Sequence, residues 1–208
     1  MLPPTIPIFP LPNVVLFPNV FLPLHIFEPR YRAMTTDALQ GDRIIGMTLL
    51  QPGYEAHYAG RPRVYPIGCA GVITHTEQLA DGRYNIVLRG IEKFRIDSED
   101  TSREYRLADV TPLPEVTSEG DRRLLSQQRL RLETVLAAAI ERSGAEPRFP
   151  PAISDEDLVN ALAQYLDLQP IERQALLERD GVLERGRALI ELLEMRMLAP
   201  GGHQGGVH

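Results

Sequence analysis

The sequence contains no tryptophan, one cysteine and one lysine among its 208 residues. A single cysteine excludes an internal disulfide and a cysteine metal cage, which agrees with a reducing compartment. The other 21 basic residues are arginines, so Lys93 alone could serve a mechanism that needs an amine. Phosphate-binding loops, Ser-Lys dyads and Schiff bases all need such a lysine. These chemistries are therefore excluded unless Lys93 carries them.

Positive charge is also scarce, with 22 basic against 28 acidic residues and a formal net charge of -6. Nucleic-acid affinity depends on basic side chains that neutralise phosphates, so a nucleic-acid partner is disfavoured. The opening Met1 to Leu11 has no positive side chain and is broken by prolines, unlike a signal peptide. The most apolar stretch, Val14 to Ile26, is too short to span a bilayer. We expect a cytoplasmic protein with no membrane partner.

Proline is concentrated at the start, where eight of the 18 prolines fall within the first 29 residues. Each proline removes a backbone donor and favours extended geometry in its predecessor, so the opening predicts edge strands and turns. The predicted extended pieces are Thr5 to Phe9, Val14 to Phe17 and Phe21 to Ile26. A helix over Glu28 to Leu39 follows, with Pro29 in its first turn.

The residues after this helix predict further β-structure. Asp81-Gly82 suits the tight turn of a hairpin, because glycine and aspartate tolerate positive φ angles. Gly68 and Gly71, on either side of Cys69, predict a bulge or bend. The predicted extended runs are Arg43 to Leu50, Val64 to Thr76, Tyr84 to Gly90, Lys93 to Asp97 and Tyr105 to Thr111. Together these strands predict a small closed or half-closed β-structure.

Helical spacing replaces the extended pattern after residue 116. Apolar residues recur at helical intervals from Ser118 to near Gly144, and Ser154 is a typical N-cap for a second helix. Pro170 opens a third helix, and Val182 to Leu198 forms a fourth. Strands followed by helices predict an α+β fold. The predicted divisions are a β-rich subdomain over 1–116, a helical subdomain over 117–198 and a disordered tail over 199–208.

Several blocks of the chain resemble one family, the LON N-terminal or LON substrate-binding domain. The blocks are Ile6 to Pro18, Leu22 to Tyr31, Ile67 to Ile73, Asp81 to Gly90 and Pro170 to Glu178. They occur in the family's order and extend over nearly the whole chain. Asn19 stands where the family's first turn usually has glycine, and asparagine also tolerates a positive φ.

This resemblance implies a fold and a binding role. The implied fold is a PUA-like β pseudo-barrel followed by a C-terminal helical bundle. The family occurs at the front of ATP-dependent Lon proteases, where it helps to recognise unfolded or tagged substrates, and in stand-alone proteins. The implied partner is unfolded or extended polypeptide. We expect an exposed apolar groove between barrel and helices to bind it, with strand addition at the proline-rich edge as a further mode. A separate Lon protease is a further candidate partner.

The protease chemistry itself is not expected. Lys93 is followed by Phe94 and lacks the glycine-rich setting of a phosphate-binding loop, and no serine lies in a nucleophile motif. We therefore predict a non-catalytic substrate-recognition or adaptor protein, with no cofactor and no metal. A PUA-like small-molecule or RNA-binding module is the alternative. A hydrolase would need Cys69 beside a histidine, and a buried structural cysteine is the simpler interpretation.

The segment Gln51 to Arg63 holds the candidate contact residues, Tyr54, His57, Tyr58 and Arg61. Tyrosine and arginine are enriched at the energetic centres of interfaces, and connecting segments often carry function. A long surface loop without a partner explains the segment equally well. The four residues are therefore a hypothesis for a partner-contact surface.

Overall fold

A computed structural model of the chain describes residues 2–57, 60–141 and 153–198. Within these ranges six strands and five α-helices form an α+β fold. The elements are β1 (Thr5–Leu11), β2 (Phe21–Ile26), α1 (Pro29–Gln40), β3 (Ile44–Leu49), a 3-10 helix (Tyr54–His57), β4 (Ile67–Gln78), β5 (Tyr84–Asp100), β6 (Arg106–Leu113), α2 (Glu119–Glu141), α3 (Asp155–Tyr165), α4 (Pro170–Leu177) and α5 (Gly181–Leu198).

The six strands form one sheet that closes on itself. The strand order is β2-β5-β4-β3-β1-β6, and β6 pairs with β5 as well. Five strands therefore make a ring, and β2 pairs only with the first part of β5 and stands at an edge of the described sheet. The β1–β3 pair is parallel and the other pairs are antiparallel. This closed arrangement is the pseudo-barrel that the sequence predicted.

Strand β5 is continuous over 17 residues, so the prediction of two separate strands was wrong. A bulge lies beside Gly71, as predicted, but its extra residue belongs to β5 and not to the strand that carries Gly68 and Gly71. Gly71 pairs with Gly90 whereas Ala70 pairs with Glu92, which leaves Ile91 as the extra residue. A bulge bends a strand and increases its twist. The bend lets the first half of β5 pair with β2 and the second half with β6.

The segment Val14 to Phe17, predicted as extended strand, joins no ladder. It is nevertheless core, because Val15, Leu16 and Phe17 are all buried. A segment without regular backbone pairing that fills the interior carries the same apolar pattern as a strand. The apolar pattern of this segment therefore reflects its burial, and the prediction of a strand was wrong.

A tight turn follows this segment and contacts the bulge of β5. The N–H of Val20 donates to the carbonyl of Phe17 at 3.3 Å, and Asn19 adopts φ 61°, as its turn position requires. The N–H of Asn19 donates to the carbonyl of Gly90, and the N–H of Gly90 donates to the carbonyl of Val20, both at 2.9 Å. The turn and the bulge thus hold each other in place.

The hairpin predicted at Asp81-Gly82 is confirmed. Gly82 adopts φ 79°, and its N–H donates to the carbonyl of Leu79 at 2.9 Å. The strands it joins pair from Gln78 opposite Tyr84 onward. Local turn chemistry was therefore enough to predict this pairing.

The inside of the ring is filled by one apolar cluster around Phe94. A side chain at Gly68 would place its Cβ 2.7 Å from the Phe94 ring, so the strand leaves that space to the aromatic side chain. The buried members of the cluster are Leu2, Ile6, Ile8, Ala70, Phe94, Ala108 and Val110.

Contacts divide the described chain into two units. The first contains residues 2–116 and 160–179, and the second contains the described parts of 117–159 and residues 180–198. The sequence had assigned 117–198 to one helical subdomain, whereas the contacts group 160–179 with the β-rich residues. Whether either unit is an independent domain stays a prediction. The predicted helix end near Gly144 and the tail over 199–208 lie outside the described residues.

Lys93 has a structural role in the first unit, where it is only 5% exposed. Its ammonium contacts Glu115 Oε1 at 2.7 Å and donates to the carbonyls of Leu177 at 3.2 Å and Arg179 at 2.7 Å. An ammonium has three N–H donors, and three acceptors meet it here. The last carbonyls of a helix lack partners within it and favour a cation. Lys93 therefore caps the C-terminal end of α4.

In the second unit, α2 packs against α5, and side chains of α2 fix the start of α3. The N–H of Asp157 donates to Ser154 Oγ at 3.1 Å, which confirms the predicted N-cap. Arg129 of α2 contacts Asp155 Oδ1 at 3.1 Å. No helix in the described ranges combines the length and apolar character of a membrane span.

Candidate functional site

A cavity of about 210 Å³ lies in the first unit, beside the segment that the sequence singled out. Three arginines line it, together with two tyrosine rings and one glutamate. We call it the arginine pocket. Its lining consists of Pro10, Arg30, Tyr31, Leu50, Gly60, Arg61, Pro62, Glu104, Tyr105 and Arg106. These residues come from β1, α1, the connection between β3 and β4, and the first residue of β6 with the two residues before it.

Arg106 is the most buried charged group of the pocket, with 6% of its surface exposed. Its Nη2 donates to the carbonyl of Pro62 at 2.6 Å, and its Nε lies 3.4 Å from Glu99 Oε2. The third nitrogen, Nη1, is buried and has no hydrogen-bond partner among the described residues. A guanidinium offers five N–H donors, so Arg106 retains donors that the described residues do not use.

The other two guanidinium groups are held by neighbouring residues. Arg61 is exposed and donates from Nη1 to the carbonyl of Asp100 and from Nη2 to the carbonyl of Arg103, both at 3.1 Å. Arg30 contacts Glu28 Oε2 at 3.0 Å, and its guanidinium carbon lies 4.6 Å from the centre of the Tyr31 ring. A guanidinium over an aromatic face is attracted by the ring quadrupole. Both groups are therefore held in defined positions.

The electrostatic environment of Arg106 reflects this crowding. Burial lowers the pKa of the Arg106 guanidinium, and Glu99 opposes that shift. The positive charges of Arg61 and Arg30 lower the pKa further. The guanidinium groups of Arg61 and Arg30 are thus close enough to Arg106 to disfavour its charged form.

Tyr105 forms one wall of the pocket and is buried. Its hydroxyl donates to Asp37 Oδ2 at 2.7 Å, and Arg103 Nη1 lies 3.3 Å from the same oxygen. Burial, and then the hydrogen bond to Asp37, raise the pKa of Tyr105 to about 12. The neutral phenol is therefore the form that the folded protein stabilises.

This shift predicts a pH effect on stability. The pKa of Tyr105 is about 12 in the folded protein and 10.0 ordinarily. The neutral phenol therefore contributes fully to the free energy of unfolding below pH 10, and this contribution is lost as the pH rises through 12. We expect an ultraviolet titration of the native protein to show one late tyrosine that is missing in Tyr105→Phe. Identical late phases in the two proteins would contradict the assignment.

The four predicted contact residues are not brought together as one described site. Arg61 lines the arginine pocket. Tyr54 begins the 3-10 helix, is half-buried and does not belong to the pocket lining, and His57 ends that helix. Tyr58 lies outside the described residues. Their role in partner contact stays a prediction.

Sequence reasoning missed Arg106 and did not connect Arg30 with the pocket. A signal for Arg106 does exist in the sequence. Residues two apart in a strand share a face, and Arg106 alternates with Ala108 and Val110, which are both buried. An arginine on the inward face of a strand is unusual enough to mark a site. No spacing rule, however, links α1 to β6.

The cysteine and one histidine considered for a hydrolase do not line the arginine pocket. Cys69 is buried in β4 opposite Lys93 and does not line the arginine pocket. His25 is exposed and hydrogen-bonds to Asn85 Oδ1 at 2.7 Å. Within residues 2–57, 60–141 and 153–198, no three His, Cys, Asp or Glu side chains form a group that could hold a metal ion.

A closed ring of five strands, accompanied by five α-helices in the described ranges, defines an α+β fold. The sequence matches the ATP-dependent protease La (LON) substrate-binding domain family over residues 5–195. The chain belongs to this family.

Curated relatives are full Lon proteases. The chain is 30% identical over 179 residues to Lon protease 2 of Syntrophobacter fumaroxidans, covering 85% of this chain and 22% of that protein. It is 26% identical over 204 residues to the Lon protease of Flavobacterium johnsoniae, covering 94% and 24%. The chain therefore spans about a quarter of the length of these relatives.

Solved structures share the fold. The N-terminal domain of Mycobacterium avium complex Lon protease matches with a TM-score of 0.67 and 19% identity, covering 91% of this chain and 98% of that chain. A Lon N-terminal domain protein from Xanthomonas campestris matches with a TM-score of 0.59 and 23% identity, covering 91% and 97%. At these identities the likeness establishes the architecture and not a binding site.

Proposed function

We propose that this chain binds unfolded or extended polypeptide as a substrate-recognition or adaptor module, without breaking bonds itself. The family match over residues 5–195 carries the proposal, because that family is described as substrate-binding. The position of Lys93 supports the non-catalytic part. Its ammonium contacts Glu115 and donates to the carbonyls of Leu177 and Arg179, whereas a Ser-Lys dyad needs the lysine to activate a serine.

The edge strand β2 is the surface that best fits an extended chain. It pairs with β5 on one side, and its other side has no partner strand among the described residues. Exposed aromatic side chains adjoin it: Phe21 is 50% exposed, Phe27 is 60% exposed, and the hydroxyl of Tyr165 donates to the carbonyl of Phe21 at 2.8 Å. An added strand gains main-chain hydrogen bonds, and neighbouring side chains supply selectivity.

The segment 51–63 is the second proposed contact surface. Tyr54, His57, Tyr58 and Arg61 remain its candidate residues, for the reasons that the sequence supplied. A separate Lon protease is proposed as a further partner. The cytoplasmic location stays a prediction.

A binding measurement tests both surfaces. The probe is fluorescently labelled α-lactalbumin, unfolded by reduction and alkylated with a neutral reagent, and the readout is fluorescence anisotropy. We expect Phe21→Ser to weaken binding about tenfold, since a central aromatic contact contributes on the order of 1.4 kcal/mol. We expect a similar loss for Tyr54→Ala combined with Tyr58→Ala.

Ile171→Ser is the matched control, because Ile171 is an equally exposed apolar residue of the same unit, on α4. Its affinity should equal that of the unmodified protein. Unchanged affinity in the Phe21 variant would remove β2 from the proposal, and unchanged affinity in the double variant would remove the segment 51–63. Failure of the unmodified protein to bind the probe would overturn the function.

The PUA-like alternative, a small-molecule or RNA-binding module, makes different predictions. The net charge of -6 argues against RNA, whose binding would weaken steeply as salt concentration rises. A mobility-shift assay at two salt concentrations distinguishes this alternative from the proposed function.

A further inference from the structure

Polypeptide binding at β2 or at the tyrosines of the segment 51–63 leaves the arginine pocket unexplained. Native proteins rarely leave a buried donor without a partner, and an exception usually marks a function or a missing ligand. Arg106 Nη1 is such a donor within the described structure, on a side chain that is only 7% exposed. The pocket is therefore lined by a buried arginine whose hydrogen bonding is incomplete among the described residues.

The charges around the cavity show what would complete it. Three guanidinium groups and one carboxylate, that of Glu104, are in the lining. Glu99 reaches Arg106 only through Nε at 3.4 Å, and Glu28 pairs with Arg30 from outside the lining. Cationic groups thus outnumber acidic groups on the wall itself. Guanidinium forks match the paired oxygens of carboxylate and phosphate groups.

We propose that the arginine pocket binds the oxyanion group of an acidic ligand. Arg106, Arg61 and Arg30 supply the guanidinium groups that line it. The oxyanion comes either from a free small acid or from an acidic group of a bound polypeptide, and only the second source rests on the proposed function. In both cases the recognised chemistry is a planar or tetrahedral group of charged oxygens.

The size of the cavity limits the ligand. Its volume of about 210 Å³ equals the liquid volume of about seven waters. A small dicarboxylate, or one acidic side chain or chain terminus, fits this space, and a folded surface does not. Pro10, Leu50 and the ring of Tyr31 offer apolar contact to the methylene groups that such a ligand carries.

Isothermal titration calorimetry at low ionic strength tests the site, with inorganic phosphate and glutarate as the first two probes. We expect saturable binding of at least one of them to the unmodified protein. Arg61→Gln should weaken that binding about tenfold or more, which corresponds to about 1.4 kcal/mol. Arg63→Gln is the matched control, because Arg63 is exposed, lies two residues away and is absent from the pocket lining.

A second variant addresses the buried donor. Arg106→Lys keeps the positive charge and removes the fork, so we expect weaker binding with the circular dichroism spectrum retained. If this variant does not fold, Arg61→Gln still decides the question, because Arg61 is exposed and its loss is tolerated by the core. Absence of saturable binding of phosphate and glutarate, or an equal loss in Arg63→Gln, would overturn the proposal.

A pair of peptides identifies the source of the oxyanion. The two share a short neutral sequence, and one ends in a free carboxylate while the other is amidated. Tighter binding of the free acid, lost in Arg61→Gln, supports the site and assigns its ligand to a polypeptide. Binding of glutarate or phosphate without any preference between the peptides supports the site and assigns a free small acid. The anisotropy assay with Phe21→Ser keeps failure of this site separate from failure of the proposed function, because Phe21 is exposed and absent from the pocket lining.

Discussion

Gly90→Ala is expected to destabilise the protein by about 3 kcal/mol. Overpacking costs about 1–3 kcal/mol, and the cost is largest where the neighbouring atoms cannot move. A Cβ at this position would overlap with the carbonyl oxygen of Phe17 and lie 3.2 Å from Pro18 Cα. These are backbone atoms, which cannot rotate away. The substitution would separate the turn from the bulge and weaken two hydrogen bonds, from Asn19 to Gly90 and from Gly90 to Val20.

Urea unfolding followed by circular dichroism measures this effect. Gly41→Ala is the control, because the nearest atom to a Cβ at Gly41 lies 3.7 Å away and φ is -108°. Its free energy of unfolding should change by no more than about 0.5 kcal/mol. Equal unfolding midpoints for the two variants would show that the turn does not press on Gly90.

Lys93→Met is the second substitution with a large expected effect, about 3 kcal/mol, because removal of one partner leaves a buried polar group uncompensated. The carboxylate of Glu115, with 16% of its side chain exposed, would lose its cation. The carbonyls of Leu177 and Arg179 would lose a donor at the end of α4. Methionine fills most of the volume, so the loss reports the ammonium rather than a cavity.

Arg95→Met is the matched control, two residues along the same strand. The side chain of Arg95 is 53% exposed and lies 3.3 Å from Asp97, and such exposed pairs contribute about 0–1 kcal/mol. Adding Glu115→Gln to Lys93→Met should recover part of the lost stability, because it removes the uncompensated carboxylate. A loss no larger than that of Arg95→Met would contradict the capping role of Lys93.

Features determined by neighbouring residues could be predicted from the sequence. The hairpin at Asp81-Gly82 follows from two turn residues, and the N-cap at Ser154 from one hydroxyl before an acidic turn. The positive φ of Asn19 follows from the demand of its turn. Each of these depends on interactions within a few residues, which a sequence pattern records directly.

The continuity of β5 could not be predicted in the same way. The pattern breaks near Gly90 because a bulge there inserts Ile91, and the bulge is fixed by a turn around Asn19 that lies far away in the chain. A single sequence shows the break in periodicity and does not show its cause. The prediction of two strands interpreted this break as the end of one strand and the start of another.

The arginine pocket was predicted only in part for a related reason. Arg61 stood out because it belongs to an unusual connecting segment. Arg106 and Arg30 join it only after the ring has closed and α1 has packed, which no local spacing records. The capping of α4 by Lys93 is equally non-local, since the lysine and its carbonyl partners are more than 80 residues apart.

The prolines of β1 have a consequence for synthesis of the chain. Thr5 pairs with Asp109, which is 104 residues later, so one edge of β1 lacks its partner strand for roughly 5–20 seconds at ribosomal rates of about 5–20 residues per second. An unpaired edge is a template for intermolecular strand pairing, and proline removes the donors on which that pairing depends. Pro7 and Pro10 lie within β1 itself. We therefore expect the residues that identify the opening as extended to disfavour intermolecular strand pairing of the nascent chain until β3 and β6 emerge.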